Sequence, residues 1–237
     1  MIVKENPKIQ GNNKQYLPAP YQKKRYYTPQ DIKVHNTAND CWLSFFNKVI
    51  DLTPLIQASI SSPLCKPLID AAGTDITYWF DSQTREPRKK IDLQTGQEVY
   101  YCPLGQFLHI PRQGPNSTID ASATLVPWWK NPEYQIGLLS YKVRKIKIVN
   151  MLSDHEDVLV VPSEETINEI LERYKTINYH AASYTWKRMS IPLDMDKNLE
   201  ENGIHDETVE FEELDIPETE WYIPAIHLYF NDDLTMA

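Results

Sequence analysis

The chain has 237 residues, of which 41% are hydrophobic and 24% charged, with a formal net charge of −9. That length suits two domains of ordinary size, the composition excludes disorder throughout, and the acidic balance disfavours nucleic acid, whose phosphates reward clustered Lys and Arg. No stretch approaches the ~18 uninterrupted apolar residues of a membrane span, and Met1 to Gln15 holds no signal-peptide core, so a soluble intracellular protein without a membrane partner is expected.

Residues 1–24 carry Pro7, Pro18 and Pro20 and lack hydrophobic periodicity, which predicts an extended arm. The arm is basic through Lys4, Lys8, Lys14, Lys23 and Lys24, joined by Arg25, and is either a docking element for an acidic surface or a solvated tail. Tyr27-Thr28-Pro29-Gln30-Asp31-Ile32 predicts a short helix capped by Thr28 with Pro29 at its first position, ending near His35-Asn36. Cys41 to Phe46 and Lys48 to Leu52 read as a strand pair turning at Asn47-Lys48, with Pro54 stopping the second strand. Leu64, Leu68, Ile69 and Ala72, then Ile76, Trp79 and Phe80, fall at helical spacing on either side of Gly73, predicting two short helices. Residues 86–132 hold six prolines and a polar run from Gln113 to Ser122, and are expected to be a long irregular insertion. Trp128-Trp129 inside it must bury against their own domain or against a partner.

A hairpin is predicted from Val143 to Met151 and Asp157 to Val161 about a Ser153-Asp154-His155 turn. A helix capped by Ser163 follows, with Ile167, Ile170, Leu171, Tyr174 and Ile177 on its apolar face. Strands are expected at Ala182–Trp186, Ile191–Leu193 and Ala225–Phe230. The acidic stretch Glu210 to Glu220, with Phe211 and Trp221, is either a docking loop or a solvated loop anchored by two aromatics. Cys41, Cys65 and Cys102 are odd in number and widely spaced, so neither a disulfide framework nor a structural zinc site is indicated. Asn116-Ser117-Thr118 fits a glycosylation acceptor, read as coincidence without a secretory signal. No phosphate loop or nucleophile elbow occurs, and Asp154-His155-Glu156 is read as hairpin polarity rather than a general acid/base pair.

Arg25-Tyr26-Tyr27-Thr28, Trp42, Val49 to Thr53, Ala72-Gly73-Thr74-Asp75 and Trp79-Phe80 resemble the cytochrome b5 family in order and spacing, and Tyr134-Gln135-Ile136-Gly137-Leu138 resembles its closing segment. Residues 25–141 would then form a cytochrome b5-like domain interrupted by the insertion 86–132. Residues 142–237 resemble ubiquitin, implying a β-grasp domain; the acidic insertion Asp206 to Glu220 departs from that pattern, and the sequence ends without Gly-Gly, so conjugation through that end is not expected. The expected fold class is therefore α+β. His180 to Lys187, Glu201 to Ile204 and Leu228 to Thr235, taken with both domains, resemble a ciliary family of cytochrome b5 domain-containing proteins. The resemblance implies a non-catalytic structural subunit of the axoneme, in a radial spoke stalk, contributing to ciliary motility. Its partners would be other spoke proteins, with tubulin reached through the basic arm. An alternative is a haem-binding redox-sensing subunit, and a third reading is a sterol-type ligand pocket.

A haem of this class needs two axial imidazoles. The first falls at Ser59 or Ser61 and the second near Arg85, where no His or Pro-Gly-Gly is found. In closer relatives the resemblance implies a Tyr and a His as ligands, at positions held here by Ser59 and Lys90. Lys90 would have to lose its proton beside Arg88 and Lys89. The expectation is no catalytic, metal or cofactor residue and no haem, with Lys90 and Cys65 as the candidate substitute ligands; His35 and His109 match no ligand position.

Overall fold

The computed structural model describes residues 24–111 and 126–230. Lys4, Lys8, Lys14 and Lys23 of the arm, the run Gln113 to Ser122 with Asn116-Ser117-Thr118, and the segment after Phe230 lie outside the described residues. The architecture is mixed α+β, as the sequence implies. In chain order the elements begin with β1 (Tyr26–Tyr27), α1 (Pro29–Lys33), β2 (Asn36–Thr37), β3 (Asp40–Phe45), β4 (Lys48–Asp51), α2 (Thr53–Ala58) and α3 (Lys66–Asp70). They continue with β5 (Lys89–Ile91), β6 (Glu98–Tyr100), β7 (Gln135–Leu139), β8 (Val143–Asn150), β9 (His155–Pro162) and α4 (Ile167–Tyr174). Last come β10 (Tyr184–Arg188), β11 (Ile191–Pro192), α5 (Thr208–Glu213) and β12 (Ala225–Phe230). The described chain groups into one unit of residues 32–46 and 50–136 and another of residues 24–31, 47–49 and 137–230.

In the first unit β2 pairs antiparallel with β3, and the Leu52 N–H donates to the Cys41 carbonyl. Residues 41–45 are all buried, Ser44 among them with its hydroxyl on Asp75, so β3 is covered on both faces rather than alternating. The turn after β3 sits at Phe46-Asn47, both at positive φ (46° and 60°), one residue before the expected place. That backbone is the tight primed turn whose twist matches paired strands. Pro54 does more than stop β4: it opens α2, where its missing N–H costs no helical bond. Of the two helices expected after it, the first is a 3₁₀ turn at Pro63–Cys65 running into α3, and the second is a single 3₁₀ turn, Thr77–Trp79. The insertion is less irregular than expected, because β5 and β6 form a hairpin inside it, closed by the Asp92 carboxylate on Gln94 N–H and by Gly96 at φ +68°.

In the second unit Tyr26-Tyr27 runs parallel to Leu138-Leu139. Gly137 is required there: a Cβ would lie 2.5 Å from Cε2 of the buried Tyr27 ring. The five-stranded sheet that lies within this unit has the order β11-β10-β12-β8-β9, parallel between β12 and β8 and antiparallel elsewhere. Ile146, Ile148, Val161, Trp186, Ile226 and Leu228 share a core with the apolar face of α4. The α4 cap is Thr166 and not Ser163, since Thr166 and Glu169 close a reciprocal capping box. Of the expected apolar face, Ile167, Ile170, Leu171 and Tyr174 are buried, whereas Ile177 lies beyond the helix and is 52% exposed.

Candidate functional site

Ser59 follows α2 as its C-terminal cap, and its carbonyl accepts a hydrogen bond from Cys65 Sγ at 2.9 Å. Cys65 is buried, with its thiol pushed up by desolvation. Cys41 is likewise buried; desolvation first, then the Asp51 and Asp40 carboxylates, push its thiol up to about 12. Both thiols are therefore protonated core groups rather than thiolates. Lys90 stands on the exposed hairpin strand β5, opposite Val99. The histidines are engaged elsewhere. His35 Nδ1 lies 2.7 Å from Asp40 Oδ2 and its ring stacks on Trp42 at 3.5 Å. His109 Nδ1 accepts from the Trp128 N–H at 3.0 Å, and burial pushes the imidazole down, which keeps it neutral.

The tryptophan pair of the insertion buries against its own unit. Trp128, Trp129 and Phe107, together with Leu108 and Ile110, join Leu55, Ile56, Cys65 and Leu68 of the α2–α3 region in one core. Trp128 meets Phe45, Phe80 and Phe107 with ring centroids 5.9–6.0 Å apart, and Phe107 lies 5.1 Å from Trp79. Their polar edges are satisfied: Trp128 Nε1 donates to the Leu108 carbonyl at 3.1 Å and Trp129 Nε1 to Glu86 at 3.2 Å. Gly105, at φ +106°, brings the same loop against Pro67 of α3, where a Cβ would sit 3.6 Å away. A haem needs a flat slot between two strong donors. Here the two ligand positions carry a half-buried hydroxyl and an exposed ammonium, and aromatic side chains of the insertion fill the core beside α2 and α3. Among the described residues no group of three or more His, Cys, Asp or Glu could hold a metal ion. The residues present do not fit haem.

The second unit contributes two further features. Arg173 of α4 is buried and forks across two carboxylates, Glu165 at 2.5 Å and Asp31 at 2.8 Å, and Asp31 also meets Lys24 at 3.1 Å. Burial alone would raise the Asp31 carboxyl, but Arg173, Lys24 and the Thr28 amide outweigh it and hold it at about 2. Burial pushes Glu165 up, with Arg173 offsetting part of that. The other feature is a cavity of about 240 Å³ between the start of β8 and the acidic stretch. That stretch folds as α5 plus a turn, held by Phe211 against Trp221 at 6.0 Å, by Trp221 Nε1 on the Ile216 carbonyl, and by Lys145 on Glu218. Asp154 sits in the hairpin turn at φ +58°, and exposed His155 pairs with Asp157 rather than with its sequence neighbours. Among the described residues no helix is long and apolar enough to cross a membrane.

The substitutions at the ligand positions are legible in sequence, and so is the need to bury the Trp pair. Phe107 and Arg173 are not, because a lone aromatic or arginine in a polar stretch carries no periodic signal.

No family model matches the chain. Curated relatives do. Cytochrome b5 domain-containing protein 1 of Xenopus laevis is 51% identical over 211 residues, covering 89% of this chain and 96% of that protein. The proteins of the same name from Mus musculus and Homo sapiens are 48% and 47% identical, over 90% and 91% of this chain and 92% and 93% of their own length. At this identity across nearly the whole length of both partners, the chain belongs to the cytochrome b5 domain-containing protein 1 family.

Proposed function

We propose that this chain is a non-catalytic structural and interaction subunit of the ciliary axoneme, in a radial spoke stalk, contributing to ciliary motility. The observation that carries the non-catalytic part is the packing of Phe107, Trp128 and Trp129 into the core beside α2 and α3, with Ser59 and an exposed Lys90 where ligands would stand. The stacking of His35 on Trp42 and the engagement of His109 by the Trp128 amide support it further, since both rings are tied into the packing. For the second unit, the sheet order β11-β10-β12-β8-β9 with a parallel central pair and one helix across it supports the ubiquitin-like β-grasp reading. The axonemal assignment rests on the sequence resemblance; its contacts would be other spoke proteins, and tubulin for the basic arm.

Two measurements test the two halves separately. Tagged protein should remain in salt-washed axonemes and crosslink to spoke components; a diffuse cytosolic distribution sinks the ciliary half. Full-length protein expressed with added haem should show no stoichiometric Soret band, and a redox-shifting band would replace the scaffold reading with a haem-dependent one.

A further inference from the structure

The cavity in the second unit has a composition that its role as a scaffold does not explain. Val143 and Val160, 40% and 36% exposed on the outer face of the β8–β9 pair, give it an apolar floor, and Phe211, Trp221 and Pro224 give it a wall. Its volume of about 240 Å³ is below the ~300–1,000 Å³ of pockets for drug-sized ligands, so an occupant is the size of one amino-acid residue.

The charges around it are not all paired. Lys142 is neutralised by Asp206 at 2.6 Å and Lys145 by Glu218 at 2.7 Å. Arg144 and Arg188 are not matched in the same way. Arg144, with only 6% of its side chain exposed, donates to the carbonyls of Ile204 at 2.8 Å and His205 at 2.5 Å. The Glu200 carboxylate is 3.8 Å from it, mostly exposed and hydrogen-bonded to His205. Arg188 donates to the Gly203 carbonyl at 3.2 Å and has no ion pair among the described residues. Carbonyls satisfy donors but leave the positive charge in place. Desolvation, and after the nearby carboxylates the like charge of Arg188, act on the Arg144 guanidinium, whose pKa is lowered. With Glu200 beside Arg144 and Glu207 in the lining, acids and cations around the cavity are equal in number, and Arg188 is the cation left without an ion pair among the described residues. Standing beside apolar Val143, Val160 and Trp221, Arg188 is the group that a carboxylate would complete.

We propose that this cavity is a binding site for a residue-sized apolar carboxylate, its body on Val143, Val160 and Trp221 and its carboxylate on Arg188. The same chemistry is offered by a free small acid and by the C-terminal residue of a partner chain. The site is independent of the axonemal reading, and either can fail without the other.

The test is two-dimensional NMR of the full chain titrated with 3-phenylpropanoate, its neutral amide and the corresponding amine. The acid should give saturable shifts at the Trp221 indole N–H and the Val143 and Val160 methyls. The amide should bind about tenfold more weakly or worse, as expected for loss of a charged hydrogen bond, and the amine not at all. Arg188→Gln should erase the acid's advantage over the amide, with far-UV circular dichroism showing that the variant is folded. N-acetyl-L-phenylalanine binding more tightly than 3-phenylpropanoate assigns the site to a chain end, and the reverse order to a free acid. Equal binding of acid and amide, indifference to Arg188→Gln, or no saturable shift with any probe overturns the proposal.

Discussion

Trp128→Ala removes the centre of the aromatic core of the first unit. The indole is fully buried, touches Phe45, Phe80, Phe107 and Trp129, and closes a hydrogen bond to the Leu108 carbonyl. An indole buries ~150–250 Å², which at ~25 cal/mol per Å² is ~4–6 kcal/mol, and measured truncations of buried aromatics cost ~3–5 kcal/mol. We expect a loss of about 4 kcal/mol, a large part of the ~5–15 kcal/mol that holds a typical domain. Urea unfolding followed by far-UV circular dichroism reads it directly, and Trp128→Phe, which keeps part of the ring packing, should fall between the two. Should Trp128→Ala not fold, the Phe variant carries the measurement. A loss below ~1 kcal/mol for Trp128→Ala is what a surface ring gives, and would refute the assignment of these rings as core filler.

Arg173→Met should cost ~3–5 kcal/mol, because it strands the buried Glu165 carboxyl without its fork; denaturant midpoints check it. Asp31, held at about 2 against an ordinary 3.8, stabilises the fold above its unfolded value and loses that contribution as pH falls toward 2. The side chain is 20% exposed, and a shift of this size is worth ~2–3 kcal/mol. The stability difference between wild type and Asp31→Asn should therefore shrink between about pH 5 and pH 2, a comparison that removes the opposite slope from Glu165. Gly137→Ala should lose ~1–3 kcal/mol in thermal unfolding through its clash with the Tyr27 ring. A thiol reagent on the native protein should label half-buried Cys102 well before Cys41 and Cys65, which should react only on unfolding; equal rates would show that the core opens.

Much of this architecture is written in local patterns. The β8–β9 hairpin and the apolar face of α4 follow from periodicity, and the α+β class from the order of such segments. The errors fall where two readings compete for one residue. Pro54 is a strand terminator and an equally good first helical residue, and only the burial of Leu55 and Ile56 decides. Ser163 and Thr166 are both capping residues; Glu169 three positions after Thr166 settles it, while Glu165 is drawn away to Arg173. The β5–β6 hairpin was hidden by surrounding prolines and by exposed Ile91 and Leu93, which break the alternation that marks a half-buried strand. Which residues stand at the ligand positions is a fact of composition and needs no fold. Which rings Trp128 packs against is not, because burying it names no partner ring.

If the loss of the two ligands were the whole reason this unit does not suit haem, putting them back should restore binding. The packing argues otherwise. Ser59→His with Lys90→His supplies two imidazoles, yet Trp128, Trp129 and Phe107 still share the core with Ile56, Cys65 and Leu68, and Gly105 still holds the loop against Pro67. A porphyrin entering there must first displace buried rings, each worth several kcal/mol. The bis-histidine variant should therefore show little Soret absorbance with added haem, and the same variant carrying Trp128→Ala and Trp129→Ala should show more, if it folds. Far-UV circular dichroism decides whether it has. Full haem loading of the bis-histidine variant with both tryptophans in place would mean that the rings part easily, and that the two ligand positions alone separate this chain from a haem protein.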